Sequence, residues 1–399
     1  KLGKELDLFT FSEKVGPGLP LWTPRGGRLR HVLNDFVWEL RRRHGYERVE
    51  IPHVTKKDLY ETSGHWDKFK DELFRVTTRE GHEFAMKPMN CPHHTQIFDR
   101  HPHSYREMPQ RYANTTMVYR DEQTGELHGL SRVRSIKQDD AHAFCRHSQI
   151  KEEFMKVWDI IEKFYAAAQF GELKVELSFH DPNEPDKYLG GPEVWKKAED
   201  ALREIVKEKG VEAEEMPGEA AFYGPKIDFI SKDSIGRTWQ IATIQLDMNM
   251  PERFDLTCVD EKGKPERVAM IHAAIMGSIE RFLSVAIEHY AGAFPLWMAP
   301  EQVRVASVGE AHVEAAGKLV QELNDAGVRA GLDTSDSTVG AKIRNAAKMK
   351  IPYTIIFGDK ELEGADYQIN VFGQEGDLKI PAGALAQHVL DLSREQMGL

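Results

Sequence analysis

Tyr119 to His142 reads YRDEQTGELHGLSRVRSIKQDDAH and concentrates groups able to act on a charged small molecule. Arg120 and Glu122 stand two residues apart. A His128–Gly129 turn follows, then Arg132 and Arg134, then Gln138, Asp139, Asp140 and His142. Guanidinium forks grip phosphate oxygens in pairs. A carboxylate accepts from an amino group, and the remaining polar groups suit a small zwitterion. The mixture predicts nucleotide-dependent activation of a small molecule. The chain contains neither GxxxxGK[ST] nor a GxGxxG after a strand, so arginine side chains would have to hold a polyphosphate. Arg120, Arg132 and Arg281 are the candidates. Taken singly, an arginine is more ordinarily a solvated surface residue; the neighbours are what raise these three.

The elements that position them are read from periodicity. Leu29, Val32, Leu33, Phe36, Val37 and Leu40 recur at helical spacing and predict a helix from Arg28 to His44, ended by Gly45. Tyr46 to Val54 reads as a strand broken by Pro52. Thr77–Met86 and Asn114–Tyr119 read as short strands. Ile150–Phe170 and Trp195–Gly210 read as amphipathic helices. Phe222–Ile230 and Thr238–Leu246 predict a paired sheet, and Met276–Ala291 a helix. Past the Pro295–Pro300 segment the pattern changes to alternating strands (303–308, 328–332, 353–357) and helices (312–325, 339–350). That pattern predicts a small α/β domain with parallel pairs. The boundary falls at about residue 298.

Composition bounds the rest. The 399 residues suffice for two or three domains; 41% are hydrophobic and 29% charged, as in a globular protein. No run of about 18 apolar residues predicts a membrane span. The chain opens at Lys1 without Met or an apolar leader, which reads as a piece of something longer. Cys91, Cys145 and Cys258 form no CxxC pair and suggest a reducing, cytoplasmic setting. At a net charge of -11, nucleic acid would be met by a local basic patch, not an overall field.

Gly45-Tyr46 with Val49 and Pro52, Arg120-Asp121-Glu122, and Gly277 to Phe282 (GSIERF) resemble the three signatures of class II aminoacyl-tRNA synthetases. MKPMNCPHH (86–94), QDDAH (138–142), FYGPKIDF (222–229) and IHAAIMGSIERF (271–282) narrow the resemblance to the threonyl-tRNA synthetase family, over essentially the whole chain. The resemblance implies an α+β catalytic domain over 1–298, an antiparallel sheet flanked by helices. A small α/β anticodon-binding domain over 299–399 would follow. It implies a threonine–tRNA ligase that joins L-threonine to ATP, with magnesium, and passes it to tRNA(Thr). A homodimer is implied because the first signature sits at a two-fold interface in this class. The competing reading is a non-catalytic paralogue that keeps the fold to bind tRNA or a regulatory RNA.

Residue by residue, the resemblance puts Arg120 on the α-phosphate and Glu122 on the adenine amino group. Arg132 would hold the γ-phosphate and Arg281 the opposite side of the triphosphate, with Ser278 and Ile136 on the nucleotide. Cys91, His142 and His272 would hold one zinc ion per subunit. Nothing in their spacing shows this, and a lone Cys or His is ordinarily structural. Asp140 would accept from the threonine hydroxyl, with Met89, Gln138, Tyr223 and Gln245 around the substrate. His65 would assist transfer to tRNA, as an imidazole titrating near neutrality. Lys226 and Gln240 would line the same site. His93, His94, His101 and His103 read as loop or tRNA-facing histidines, Cys145 and Cys258 as structural. Glu361 would read an anticodon base, and Lys342, Arg344, Lys348 and Lys350 would offer a basic face. Bacterial-type relatives clear mischarged serine with an N-terminal editing domain, which this sequence does not include.

Three positions depart from the family pattern. Ile136 replaces a phenylalanine that stacks on adenine, keeping apolar contact but losing the π-face. His93 replaces a glycine, which would crowd Cys91. Asn370 replaces a base-contacting arginine, though an amide can still hydrogen-bond a splayed base.

Overall fold

The structure, a computed structural model, describes residues 1–232 and 236–399. It divides into two compact units. One comprises Phe11–Pro20 and Phe36–Ser284; the other comprises Lys1–Thr10, Leu21–Asp35 and Val285–Leu399.

The first of these is built on an eight-stranded sheet. Its order is Ala213–Pro217, Lys174–Phe179, Lys226–Lys232, Thr238–Asp247, Ala269–Ser278, Ser135–Cys145, Gln110–Tyr119 and Glu47–Arg48. The six inner strands are antiparallel, as expected, and a parallel strand is added at each edge. Helix Ile150–Ala167 crosses the central strands because Phe154, Val157, Trp158, Ile161, Phe164 and Tyr165 share one buried face. Each such side chain contributes about 1.5–3 kcal/mol on burial. The Tyr165 hydroxyl lies 2.7 Å from the Ile275 carbonyl and 3.2 Å from that of Ile241, tying the helix to two neighbouring strands.

Several expectations change here. The helix placed at 276–291 begins only at Ile279, because Met276 to Ser278 complete the Ala269–Ser278 strand. Gly277 takes φ +66°, which a right-handed helix cannot continue through. Tyr46–Val54 yields only the two-residue strand Glu47–Arg48; past Pro52 the chain leaves the large sheet, and Val54–Lys56 pairs with Glu83–Met86 instead. Thr77–Met86 is a hairpin, Arg75–Thr77 against Glu83–Met86, and not one strand. Strand Ser135–Cys145, unforeseen, carries much of the site described below.

The other unit holds a five-stranded sheet. Val303–Ser307 pairs in parallel with both Ala330–Asp333 and Tyr353–Phe357, as the alternating pattern predicts. Antiparallel strands Tyr367–Val371 and Asp377–Ile380 extend it. Val303, Val305, Leu319, Leu323, Ile355, Ile369 and Val389 form its core. No helix among the described residues is long and apolar enough to cross a membrane.

Candidate active site

Strands Gln110–Tyr119 and Ser135–Cys145 form a hairpin whose far end is the 120–134 turn. A strand's side chains alternate, so Gln138, Asp140 and His142 share one face and Asp139 and Ala141 the other. The first face lines a cavity of about 330 Å³. On the second, Asp139 is fully buried 3.5 Å from Arg41 and accepts from the amides of Ile275 (2.8 Å) and Met276 (3.1 Å). Those amides lie where the pairing register shifts between Ala274 and Ser278. The carboxylate satisfies donors that the bulge takes out of the ladder. The bulge in turn brings Gly277, Ser278 and Arg281 to the cavity.

Cys91 opens helix Cys91–Phe98, while His142 and His272 are direct cross-strand partners. One ligand atom from each of the three lies within 4.8 Å of the other two, and all three residues are buried. His272 Nε2 sits 2.9 Å from Asp247 Oδ2, and His142 Nδ1 sits 2.7 Å from His94 Nδ1. Each imidazole therefore has one nitrogen engaged and one left, as second-sphere support of a metal ligand requires. Burial drives the His142 pKa well down, keeping the neutral form that binds metals. Burial also pushes the Cys91 thiol well up, a shift that a divalent cation reverses. The Cys/His/His donor set fits zinc. It does not fit magnesium, and it is the one such group among the described residues.

Arg120, Ile136 and Arg281 line the same cavity. Arg120 stacks over Phe69, 5.6 Å from the ring centre, and its Nε is buried without a hydrogen-bond partner among the described residues. Arg281 is anchored by its amide to Ser278 Oγ; burial, with Arg120 and Arg132 nearby, lowers its pKa. Such mutually repelling guanidiniums favour a polyanion. Glu122 and Arg132, however, are not in the cavity wall. They bind each other, Arg132 Nε to Glu122 Oε2 at 2.9 Å, because the turn folds their opposite charges together.

The remaining wall comes from the two strands beyond. Tyr223 donates its hydroxyl to Gln245 Oε1 at 2.7 Å. Gly224 lets this segment press on its neighbour: a Cβ there would lie 1.9 Å from the Leu246 carbonyl. Lys226 (3.1 Å) and Gln240 (2.7 Å) converge on the buried Asp228. Met89 also lines the cavity. Asp228, Asp247 and His94 are hubs that the sequence reading assigned no role. Asp228 lay within a quoted motif, but only the folded register shows what it serves.

His65 is fully buried among Phe69, Phe222 and Tyr223, with Nδ1 2.8 Å from Ser63 Oγ and Nε2 3.1 Å from Met89 Sδ. Burial, with His272 and Arg120 adding to it, lowers its pKa to about 3, so the expected titration near neutrality is not met. His93 does not crowd Cys91 from the cavity; it turns to Thr55 Oγ1 at 2.6 Å. Neither it nor His94 is a loop histidine: both are buried on helix Cys91–Phe98. His103 is buried against the Phe98 carbonyl, and only His101 is exposed. Cys145 and Cys258 are buried and free.

These buried imidazoles set a pH response. His65 (about 3), His93 (about 4) and His94 (about 3) are depressed by burial, so on acidification the unfolded chain takes up their protons first. Asp139, raised by burial to about 6, acts in the opposite sense but is one group against three. Stability of the metal-free chain is therefore expected to fall from pH 7 to pH 5. A melting temperature that holds or rises over that interval would refute it.

In the other unit Glu361 lies in the short helix Asp359–Leu362 and accepts from the Gly358 amide at 2.9 Å. Asn370 sits on strand Tyr367–Val371, opposite Thr354 and Asp377. Lys342 is buried on the Ser307 carbonyl and so contributes nothing to an exposed basic face.

Residues 74–290 match the family described as tRNA synthetase class II core domain (G, H, P, S and T), and residues 302–390 match an anticodon binding domain. The chain is 50% identical over 382 residues to a threonine–tRNA ligase of Porphyromonas gingivalis, covering 95% of this chain and 58% of that protein. A Flavobacterium johnsoniae relative of the same name is 47% identical over 378 residues, covering 94% of this chain and again 58% of the relative. The chain thus spans little more than half the length of these relatives. A solved structure described as the RNA binding domain of threonyl-tRNA synthetase from Cryptosporidium parvum superposes with a TM-score of 0.93 at 35% identity, covering 98% of this chain and 97% of that one. A putative threonyl-tRNA synthetase from Aeropyrum pernix gives 0.86 at 31%, covering 100% and 96%. The chain belongs to the class II tRNA synthetases and, among them, to the threonyl-tRNA synthetase family.

Proposed function

We propose that the chain is a threonine–tRNA ligase, its catalytic part at 1–298 and its anticodon-binding part at 299–399. One observation carries the reading: the Cys91, His142 and His272 set opens into the same cavity as Asp140, Arg120 and Arg281. An amino-acid end and a phosphate end thus share one space. When bound, a zinc ion would supply a Lewis acid able to take the amine and hydroxyl of threonine, and so to exclude valine.

The protein's own groups would do the rest. Asp140 accepts from the substrate hydroxyl, and Gln138, Met89, Tyr223 and Gln245 enclose the amino acid. Arg120 turns its unpartnered Nε to the α-phosphate while the substrate carboxylate attacks phosphorus and pyrophosphate leaves. Arg281, with Ser278 at its amide, takes the opposite side, so charge is stabilised where it develops. Ile136 gives adenine an apolar face. Glu122 and Arg132 exchange their mutual bond for adenine and γ-phosphate contacts. Lys226 and Gln240, fixed by Asp228, border the space where the tRNA 3′ end would enter. His65 serves the transfer step as a neutral hydrogen-bonding imidazole. Magnesium would travel with the triphosphate. Glu361 and Asn370 would meet anticodon bases of tRNA(Thr). A homodimer is part of this reading, and a monomer in sedimentation at micromolar concentration would count against it. The free, buried thiols suit a cytoplasmic setting.

The test is threonine-dependent ATP–pyrophosphate exchange, which needs no tRNA. Exchange that is strong with threonine, weaker with serine and absent with valine supports the reading. Folded, zinc-loaded protein without exchange would overturn it in favour of a non-catalytic paralogue.

A further inference from the structure

Lys87 is completely buried, at 0% exposure, two residues before Met89 of the cavity wall. Its ammonium donates to Asn90 Oδ1 at 2.9 Å and to Thr116 Oγ1 at 3.0 Å, both neutral acceptors. Asn90 is itself fully buried, and its Nδ2 donates to Asp140 Oδ2 at 3.1 Å. A buried lysine is a costly residue, and two neutral hydrogen bonds do not explain its presence. The order of the three groups does. An ammonium only donates and a carboxylate only accepts, whereas an amide does both and is nearly symmetric in shape. Held between them, the Asn90 amide has one possible orientation: oxygen toward Lys87, nitrogen toward Asp140.

We propose that Lys87 is a positioning residue for hydroxyl recognition: acting through Asn90, it fixes the Asp140 carboxylate by Oδ2 and leaves Oδ1 to meet the substrate hydroxyl. The inference rests on the function proposed above. Thr116, on the strand paired with that of Asp140, braces the ammonium from the side opposite Asn90. Without the ammonium, the amide is free to flip and present its own oxygen to a carboxylate, which repels it.

Lys87→Met keeps most of the aliphatic bulk and removes the donor. In exchange assays on the 399-residue chain, the preference in kcat/KM for threonine over 2-aminobutyrate, which lacks only the hydroxyl, should fall about tenfold, the scale of one hydrogen bond to a charged group. KM for ATP and zinc content should not change. Lys87→Arg, which still donates, should recover part of the preference, and Lys87→Met should add little to Asn90→Ala. If Lys87→Met does not fold, Asn90→Ala alone reads the same relay. An unchanged preference, or a loss in which ATP affinity and zinc fall together, would overturn the proposal. Wild-type chain that does not activate threonine at all would instead refute the underlying function, and the relay with it.

Discussion

Replacing His272 by alanine is expected to remove zinc and threonine-dependent exchange together. His272 is one of three ligands, and two protein ligands are too few for a structural or catalytic zinc site. The substitution also frees Asp247 Oδ2 in a buried place, although that carboxylate keeps the amides of Asn249 and Met250 through its other oxygen. The strand pairing does not depend on the side chain, so the sheet should survive with His142 still opposite residue 272. The expected readout is a fall from one zinc per chain to none, with exchange below about a thousandth of wild type, since both substrate contacts and selectivity are lost. Metal content that does not change in a folded variant would exclude His272 as a ligand.

The second large effect is expected at Arg120. Lysine in its place keeps the charge but loses the planar fork and the stack on Phe69. If Arg120 meets both the α-phosphate and the amino-acid carboxylate, Lys cannot hold both at the angles that in-line attack needs. Exchange should fall about 10²–10³-fold in kcat, the usual result of removing one donor aimed at developing charge. Zinc content should stay at the wild-type level, which separates this loss from that in His272→Ala. A variant within threefold of wild type would show that Arg281 alone suffices.

Much of this was legible from residue order. The Ile150 helix declared itself because its apolar residues recur at helical spacing, and the parallel strands of the other unit because strand and helix alternate. The zinc trio was not legible physically: Cys91, His142 and His272 are far apart in the chain, and only the resemblance joined them. What unites them is the register of two strands, and neither strand was foreseen over its full length. Ser135–Cys145 was hidden because both of its faces carry carboxylates, Asp139 below and Asp140 above, so the usual apolar alternation is absent. Its period of two was nevertheless present in Gln138, Asp140 and His142. The pairing of Glu122 with Arg132 and the burial of His65 lay beyond the sequence for another reason. Both depend on how a turn and an aromatic cover close, and local composition does not encode that.

The alternation along Ser135–Cys145 also decides which errors of length the site can absorb. Removing one residue between Gln138 and His142 would shift the two ends by one step and turn one of them to the helix-covered side. No substitution elsewhere could restore it, because the fault would lie in counting and not in chemistry. The 120–134 turn has no such parity to keep within its tip, where Gly125 has open space around it. An added residue there should leave the cavity floor in place. A library of single-residue deletions and insertions would therefore divide at the strand's first residue, Ser135, with loss of activity beyond it and graded effects before it.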